Sequence, residues 1–162
     1  MNDRPPPEGL EPVIRNAVRA VIVRDEAVLM QKKWSESRGT WYTLPGGGQD
    51  VEESLAQALI RECEEEIGAR VEIESLLCVA DFYKQRDTAY PSVRHLIEFL
   101  FACSLPATYR PVSGHHPDKH QIDVVWLPVS DIPHVELFPK GIASHLQNLS
   151  TVNTPTYLGV ID

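Results

Sequence analysis

Hydrophobic and polar residues alternate along most of the chain in short runs typical of β-strands. These runs are rich in β-branched and aromatic residues and are separated by polar, Gly or Pro positions. Strands are predicted at 13–24, 27–33, 41–44, 71–82, 94–103 and 121–129. Asp25 and Glu26 separate the first two runs, which predict a hairpin or two adjacent strands.

One segment, 51–67, departs from this pattern, because its apolar residues recur at three- and four-residue spacing, as on one face of an amphipathic helix. Asp50 is suited to cap this helix, with Glu53 completing a capping box, and Gly68 is suited to end it. A second, short helix is predicted at 140–148. Strands on both sides of a long helix predict an α/β sandwich, in which helices cover a mixed sheet.

The chain of 162 residues is predicted to hold one domain, at 13–149, between a lead and a tail. The lead, 1–12, contains three consecutive prolines and is expected to be flexible, so that it could exchange across a homodimer. The tail, 150–162, is polar and shows no clear period.

Composition and charge exclude several classes of protein. The 15 Lys and Arg against 23 Asp and Glu give a net charge of −8, which argues against binding of duplex nucleic acid through its phosphates. The three cysteines are widely spaced and predict neither a disulfide framework nor a zinc knuckle. The longest apolar stretch, 96–105, is too short to cross a bilayer. We therefore expect a cytoplasmic protein without membrane contact.

The last turn of the predicted helix carries Glu62, Glu64, Glu65 and Glu66. Anions at this end oppose the helix dipole and repel one another, so a bound cation would reverse the balance. At about 100° per residue, Glu62, Glu65 and Glu66 share one face, whereas Glu64 points to solvent. An acidic run alone is usually a solvated face. Here it follows three glycines, 46–48, whose backbone can approach a ligand closely, and carboxylates suit Mg²⁺ or Mn²⁺.

The stretch from Gly47 to Ala69 resembles the Nudix hydrolase signature, G-x5-E-x7-R-E-U-x-E-E-x-G-U. The charged and glycine positions all match: Gly47, Glu53, Arg61, Glu62, Glu65, Glu66 and Gly68. Cys63 and Ala69 depart from the pattern only at apolar positions. The motif is highly specific, although it covers only about a seventh of the chain.

This resemblance implies a Nudix-like α/β/α sandwich with a mixed sheet. It also implies a metal-dependent hydrolase that cleaves the pyrophosphate linkage of a small nucleoside diphosphate derivative, a nucleoside diphosphate linked to another group X. Glu62, Glu65 and Glu66, with the Gly46 carbonyl, would bind Mg²⁺ or Mn²⁺. Arg61 and Glu53 would be catalytic in an orienting role. The substrate stays open, because Tyr83, Tyr90 and Pro91 do not stand at the spacings of known subfamilies.

The general base has several candidates. In the family it comes from the signature helix or from a later glutamate. Glu98 lies in the middle of a predicted strand and either is paired structurally or faces the site. Many relatives carry a glutamate shortly before the position of Trp126, but this chain offers Asp118, Gln121 and Asp123 there. Glu62 or Glu65 is therefore the alternative base.

Candidate substrate-binding groups stand close to the signature: the side chains of Lys32, Lys33 and Arg38 and the backbones of Gly47 and Gly48. Long basic side chains at a strand end are more often solvent contacts. Five aromatic residues could stack on a base, although we favour a core role. These are Trp34, Trp41, Tyr42, Phe82 and Tyr83. The histidines at 115, 116 and 120 predict a surface loop rather than a zinc site.

A second function from a different class is a catalytically inactive Nudix-fold module that senses nucleotides or acts as a scaffold. Such modules usually lose a glutamate or the arginine of the signature. None is missing here, which favours the enzyme.

Overall fold

The computed structural model describes residues 5–86, 88–148 and 155–162. Within them, eight strands form one sheet, with two α-helices and two short 3₁₀ segments at Val129–His134 and Lys140–Ile142. The strands are β1 (Leu10–Arg24), β2 (Ala27–Ser35), β3 (Gly39–Thr43), β4 (Gly46–Gly48), β5 (Glu72–Arg86), β6 (Ser92–Ser104), β7 (Gln121–Pro128) and β8 (Thr156–Ile161). The helices are α1 (Leu55–Ile67) and α2 (Ala143–Gln147).

The sheet is mixed, as predicted. Its order is β3-β2-β1-β6-β5-β8, while β4 pairs with β1 and β7 pairs with β2. β1 runs parallel to β6 and β5 runs parallel to β8, whereas the other pairs are antiparallel. The register of β1 places Ala17 opposite Glu98 and Arg19 opposite Gly46. It therefore brings three elements of the later site together.

Both faces of the sheet are covered. Alternate side chains of a strand point to opposite faces, so Val18 and Ile22 of β1 pack with the apolar side of α1, whereas Val21 packs with Met30 and Leu146 on the α2 side. Each face buries its own hydrophobic cluster. The α/β sandwich expected from the sequence is confirmed.

The signature helix begins later than predicted. Its N-cap is Ser54, whose hydroxyl accepts from Gln57 N at 3.1 Å while Ser54 N donates to Gln57 Oε1 at 2.8 Å. This reciprocal pair is a capping box, so the prediction of Asp50 and Glu53 as caps is wrong. Glu52 has a φ of 73°, which breaks the helix before Ser54, and the Glu53 carboxylate accepts hydrogen bonds from Arg61 and from Asp50 N. The predicted end at Gly68, with a φ of 64°, is confirmed.

Both ends of the chain contribute more structure than expected. β1 begins at Leu10, inside the predicted lead of 1–12, because Glu11 accepts hydrogen bonds from Arg86, Ser92 and Arg94. β8 lies within the predicted polar tail of 150–162, where it extends the sheet at the edge of β5. Its six residues are too few to show a period by themselves. Residues 1–4 of the lead and 149–154, which include the end of the predicted domain and the start of the tail, lie outside the described residues.

Among the described residues, no helix is both long and apolar enough to cross a membrane. The three cysteines are buried as free thiols in the two hydrophobic clusters.

Candidate active site

Arg61 organises the acidic side of the site. Its Nε and Nη2 donate to the two carboxylate oxygens of Glu53 at 2.6 and 2.9 Å. Nη1 donates to Glu62 Oε1 at 2.9 Å and Nη2 also donates to the Gly48 carbonyl at 3.1 Å. One planar guanidinium therefore connects the loop before α1, the glycine strand β4 and the helix itself.

The two carboxylates bound to Arg61 have opposite pKa shifts. The hydrogen bonds from Arg61 and then the backbone N–H of Asp50 lower the pKa of Glu53 to about 2. Burial raises the pKa of Glu62, with a further contribution from the neighbouring Glu65 carboxylate, against the opposing effect of Arg61. Glu53 is therefore a fixed anion, whereas Glu62 is an anion that the protein alone stabilises incompletely.

The glycine at 47 gives Glu62 its position. A Cβ atom at this residue would lie 2.5 Å from Glu62 Cδ and 2.6 Å from both carboxylate oxygens. The carboxylate thus rests directly against the backbone of β4, in space that any side chain would fill.

Glu66 is the most deeply buried acid of the signature, with 3% of its surface exposed. Gly46 N donates to Glu66 Oε2 at 2.8 Å, and the Gln31 side-chain amide donates to the same oxygen. Burial raises the pKa of Glu66 to about 8, which the Gly46 N–H opposes and the charge of Glu62 assists. Gln31 belongs to β2 and was not among the residues predicted for the site.

The remaining two glutamates lie on different sides of α1, as the helical wheel predicts. Glu65 Oε2 lies 3.6 Å from Arg61 Nη1 and 3.7 Å from His116 Nδ1, on the same side of α1 as Glu62. Glu64 lies on the exposed side, with its carboxylate 3.5 Å from Arg70.

The donor set fits a divalent cation in its chemistry. Glu62, Glu65, Glu66 and the Gly46 carbonyl offer only hard oxygen atoms, which Mg²⁺ and Mn²⁺ prefer. The raised pKa values of Glu62 and Glu66 reflect crowded, partly desolvated carboxylates, which a cation would stabilise as anions. Within the described ranges, however, the side chains form no ready-made group of three or more His, Cys, Asp or Glu around an ion position. The Gly46 carbonyl accepts a hydrogen bond from Arg19 Nη1 at 2.8 Å.

Glu98 lies in a buried ion pair with Arg19. It is 1% exposed, and its carboxylate accepts from Arg19 Nε at 2.9 Å and from Arg19 Nη2 at 3.2 Å. Since Arg19 also holds the Gly46 carbonyl, Glu98 reaches the site through Arg19 and makes no contact with the signature acids in the hydrogen bonds of the described residues.

Two of the basic residues predicted to bind substrate have acidic partners. Lys33 is 7% exposed and forms an ion pair with Asp118, whose pKa is lowered because the charge and hydrogen bond of Lys33 outweigh its burial. Arg38 donates to Glu136 at 2.8 and 2.6 Å. Lys32 is half-buried on β2 opposite Tyr42 and Asp123.

The aromatic residues divide between core and surface. Trp41 and Phe82 are buried, whereas Trp34 is 49% exposed. Phe82 packs edge-on against Phe138 at 5.2 Å, and the Arg38 guanidinium lies 4.7 Å from the ring centroids of both Trp41 and Phe138. A core role is thus correct for Trp41 and Phe82, and they border the cations of the site.

The histidine-rich segment is a loop, as predicted, but it is attached to the signature helix. Gly114 N donates to Glu66 O at 3.0 Å and His116 N donates to Glu65 O at 2.9 Å. The Gln121 side chain also donates to Glu66 O, at 2.8 Å. These bonds satisfy backbone carbonyls that the end of a helix leaves without partners.

Sequence reasoning missed Arg19, Gln31, Lys84 and Phe138. The sequence could have indicated Arg19, because it is a charged residue within the apolar run Ala17 to Val23 of a central strand. Cys78, Ala80 and Phe82 lie at every second position of β5 and are buried. Lys84 is the next residue in this series, beyond the predicted strand end at 82. Phe138 gave no signal.

Residues 13–149 of this chain match the family model of the NUDIX domain. The chain belongs to the NUDIX domain family. The resemblance carried by the signature is thereby confirmed over most of the chain.

The Nudix relatives support the same fold. The human 8-oxo-dGDP phosphatase NUDT18 is 30% identical over 136 residues, which are 80% of this chain and 37% of that protein. The chain therefore spans little more than a third of this relative. The solved MutT protein from Methanosarcina mazei has a TM-score of 0.65 at 18% identity, covering 88% of this chain and 99% of its own. An ADP-ribose pyrophosphatase from Streptococcus suis has a TM-score of 0.63 at 17% identity, with coverages of 88% and 98%.

Proposed function

We propose that this chain is a metal-dependent hydrolase that cleaves the pyrophosphate linkage of a nucleoside diphosphate linked to another group X. The observation that carries the proposal is the Arg61 arrangement. It binds Glu53 and Glu62 and the Gly48 carbonyl, and thereby holds the acidic face of α1 against the glycine strand. A solvated acidic helix end would need no such connection.

Glu62, Glu65, Glu66 and the Gly46 carbonyl would hold Mg²⁺ or Mn²⁺, which when bound withdraws charge from the diphosphate and lowers the pKa of a bound water. Arg61 and Glu53 orient Glu62, and the backbone of Gly47 and Gly48 lets the diphosphate approach. Lys32, Lys33 and Arg38 would add positive charge that a protein of net charge −8 otherwise lacks.

We assign the general base to the signature helix. Glu98 is occupied by two hydrogen bonds from Arg19, which favours its role as a support for Arg19 rather than as a proton acceptor. A carboxylate oxygen of Glu62 or Glu65 would accept the proton from the attacking water. The oxygen of that water forms a new bond to phosphorus, and the leaving phosphate departs with the electrons of the broken P–O bond.

The names of the relatives suggest the first substrates to test. The NUDT18 proteins act on 8-oxo-dGDP by name, and one structural neighbour is an ADP-ribose pyrophosphatase. Both compounds contain a diphosphate attached to a nucleoside, which is the substrate class proposed here.

The experiment is a product assay with 8-oxo-dGDP, ADP-ribose and a wider nucleotide panel, in Mg²⁺ or Mn²⁺. We expect metal-dependent turnover, reduced by about 100-fold or more in Glu62→Gln and Glu65→Gln, because each change removes a charged oxygen ligand. The matched control is Glu64→Gln, which lies on the exposed side of the same helix and should retain activity.

Absence of metal-dependent turnover on the whole panel would overturn the proposal. Calorimetric titration of the nucleotides would then decide for the second candidate, the inactive sensing or scaffold module, if a nucleotide still binds.

A further inference from the structure

The cationic side chains on the sheet side of the site include Arg19, Lys33, Arg38 and Lys84, and the first three have acidic partners. Arg19 pairs with Glu98, Lys33 with Asp118 and Arg38 with Glu136. The fourth is Lys84 of β5, for which the described part of the chain provides no carboxylate within ion-pair distance.

Phe138 fixes the direction of the Lys84 side chain. Lys84 Nζ lies 5.9 Å from the ring centroid of Phe138, and the Arg38 guanidinium lies 4.7 Å from the same centroid. An aromatic ring attracts each cation, but two like charges around one ring repel each other. Lys84 and Arg38 therefore contact the same aromatic ring.

The surroundings of Lys84 are electrostatically unfavourable for a cation. Burial lowers the pKa of its ammonium, and the charges of Arg19 and Lys33 lower it further, against smaller opposing effects of Asp118 and Glu98. The residue nevertheless remains exposed to solvent, so that a ligand can reach it. A cation in reach of solvent, repelled by its neighbours and without an acidic partner, is suited to bind an anion.

We propose that Lys84 binds a non-bridging oxygen of the substrate diphosphate, with Phe138 as the residue that positions its ammonium. This inference rests on the proposed function, since it assigns the substrate anion to a residue outside the signature. The lysine donates a charge-assisted hydrogen bond to the phosphate oxygen. The bound anion also removes the repulsion between Lys84 and the cations of β1 and β2.

The test uses the full chain and methylenediphosphonate, a diphosphate that cannot be hydrolysed, titrated without metal by calorimetry. We expect Lys84→Met to weaken binding by about tenfold or more, because it removes a charge-assisted hydrogen bond. Lys84→Arg keeps a charged donor, and its dissociation constant should stay within about threefold of the wild-type value. The matched control, Arg70→Met, removes one positive charge from an exposed site beside Glu64 and should bind like the wild type.

A purely structural role of Lys84 predicts a different result. If the lysine only packs on Phe138, Lys84→Met would lower the melting temperature and leave the dissociation constant unchanged. Unchanged binding in Lys84→Met, or no binding of the probe by the wild type, would overturn the inference.

Steady-state kinetics separate this inference from the proposed function. With a substrate found in the panel, we expect Lys84→Met to raise KM more than it lowers kcat, and Lys84→Arg to restore KM. If kcat and KM are the same in Lys84→Met as in the wild type, only the role of Lys84 is refuted. A different outcome is that Lys84→Met loses probe binding while the wild type turns over no substrate. That outcome would support the phosphate-binding role of Lys84 and refute the proposed hydrolase activity.

Discussion

The acidic and basic sides of the site are built in opposite ways. The acidic side comes from one continuous stretch, in which Arg61 binds Glu53 and Glu62 and lies near Glu65. The basic side comes from β1, β2 and β5, and most of its cations pair separately with an acid from another element. In the first arrangement several acids share one cation. In the second, Arg19, Lys33 and Arg38 each have a separate acid, and Lys84 has no acid within ion-pair distance among the described residues.

Burial also differs between one ion pair of each side, Arg19 with Glu98 and Arg61 with Glu53. Glu98 on the basic side is 1% exposed, whereas the Arg61 side chain is 29% exposed. Breaking a buried pair leaves a charge without compensation, while loosening a half-exposed one is largely relieved by water. We therefore expect changes at the Arg19–Glu98 pair to affect folding stability and changes at Arg61 to affect turnover.

The largest expected effect is at the buried pair. Glu98→Gln should lower the free energy of unfolding by about 3 kcal/mol, since the Arg19 charge then lacks its partner. Urea denaturation measures the change. The double variant Arg19→Met with Glu98→Leu should lose less stability than the sum of the losses in Arg19→Met alone and in Glu98→Leu alone. If Glu98→Gln kept full stability but lost turnover, Glu98 would take part in catalysis, and the expected difference between the two sides would be wrong.

The next effect concerns Arg61. Arg61→Lys keeps the charge but cannot bind both oxygens of Glu53 while holding Glu62, so we expect kcat/KM to fall by about 10- to 100-fold. The melting temperature should change little. Arg70→Lys at the other, exposed ion pair of α1 is the control. Equal kcat/KM in the two variants would show that the Arg61 connections do not position the site.

A smaller effect distinguishes two adjacent glycines. Gly47→Ala should lower turnover by about tenfold with nearly unchanged stability, because the three atoms nearest to the new methyl group all belong to the Glu62 carboxylate, which is the end of a flexible side chain. Gly46 has a φ of 133° and faces the Val18 carbonyl, so Gly46→Ala should instead destabilise the fold by about 1–3 kcal/mol. Thermal melts and assays of both variants test this, and an unstable Gly47→Ala would contradict the assignment.

The smallest effect is a pH dependence of stability at Glu11, near the start of β1. Hydrogen bonds from Arg86 and then Arg94 lower the pKa of Glu11 to about 2, from an ordinary value of 4.5. Its contribution to stability is present above pH 4.5 and is lost as the pH falls from 4.5 towards 2. Comparing the wild type with Glu11→Gln by thermal melts at pH 6 and pH 3 should show a smaller difference at pH 3. A constant difference would mean that Glu11 contributes only by packing.

The sequence predicted the acidic side more completely than the basic side. Residues separated by three or four positions on a helix share a face by geometry alone, so Glu62, Glu65 and Glu66 could be grouped and Glu64 set apart. The start of the same helix was misplaced, because Asp50 and Ser54 are both acceptable caps, and in the structure Ser54 forms the capping box with Gln57 while Glu53 binds Arg61.

The basic side could not be assembled from spacing. Glu98 meets Arg19 because β1 and β6 run parallel in one register, and a one-residue slip would send each side chain to the opposite face. Asp118 meets Lys33 because the loop after β6 docks on the end of α1.

By itself, the sequence determined the signature helix, the alternation that makes a two-faced sheet, and the family, since all three depend on local periods or fixed spacings. Only the tertiary structure decided that β8 joins the sheet, that Glu98 is paired, and that Lys84 lacks an acidic partner among the described residues. The physical reason is that strand order and register bring together residues far apart in the chain, and ion pairing depends on distance in space.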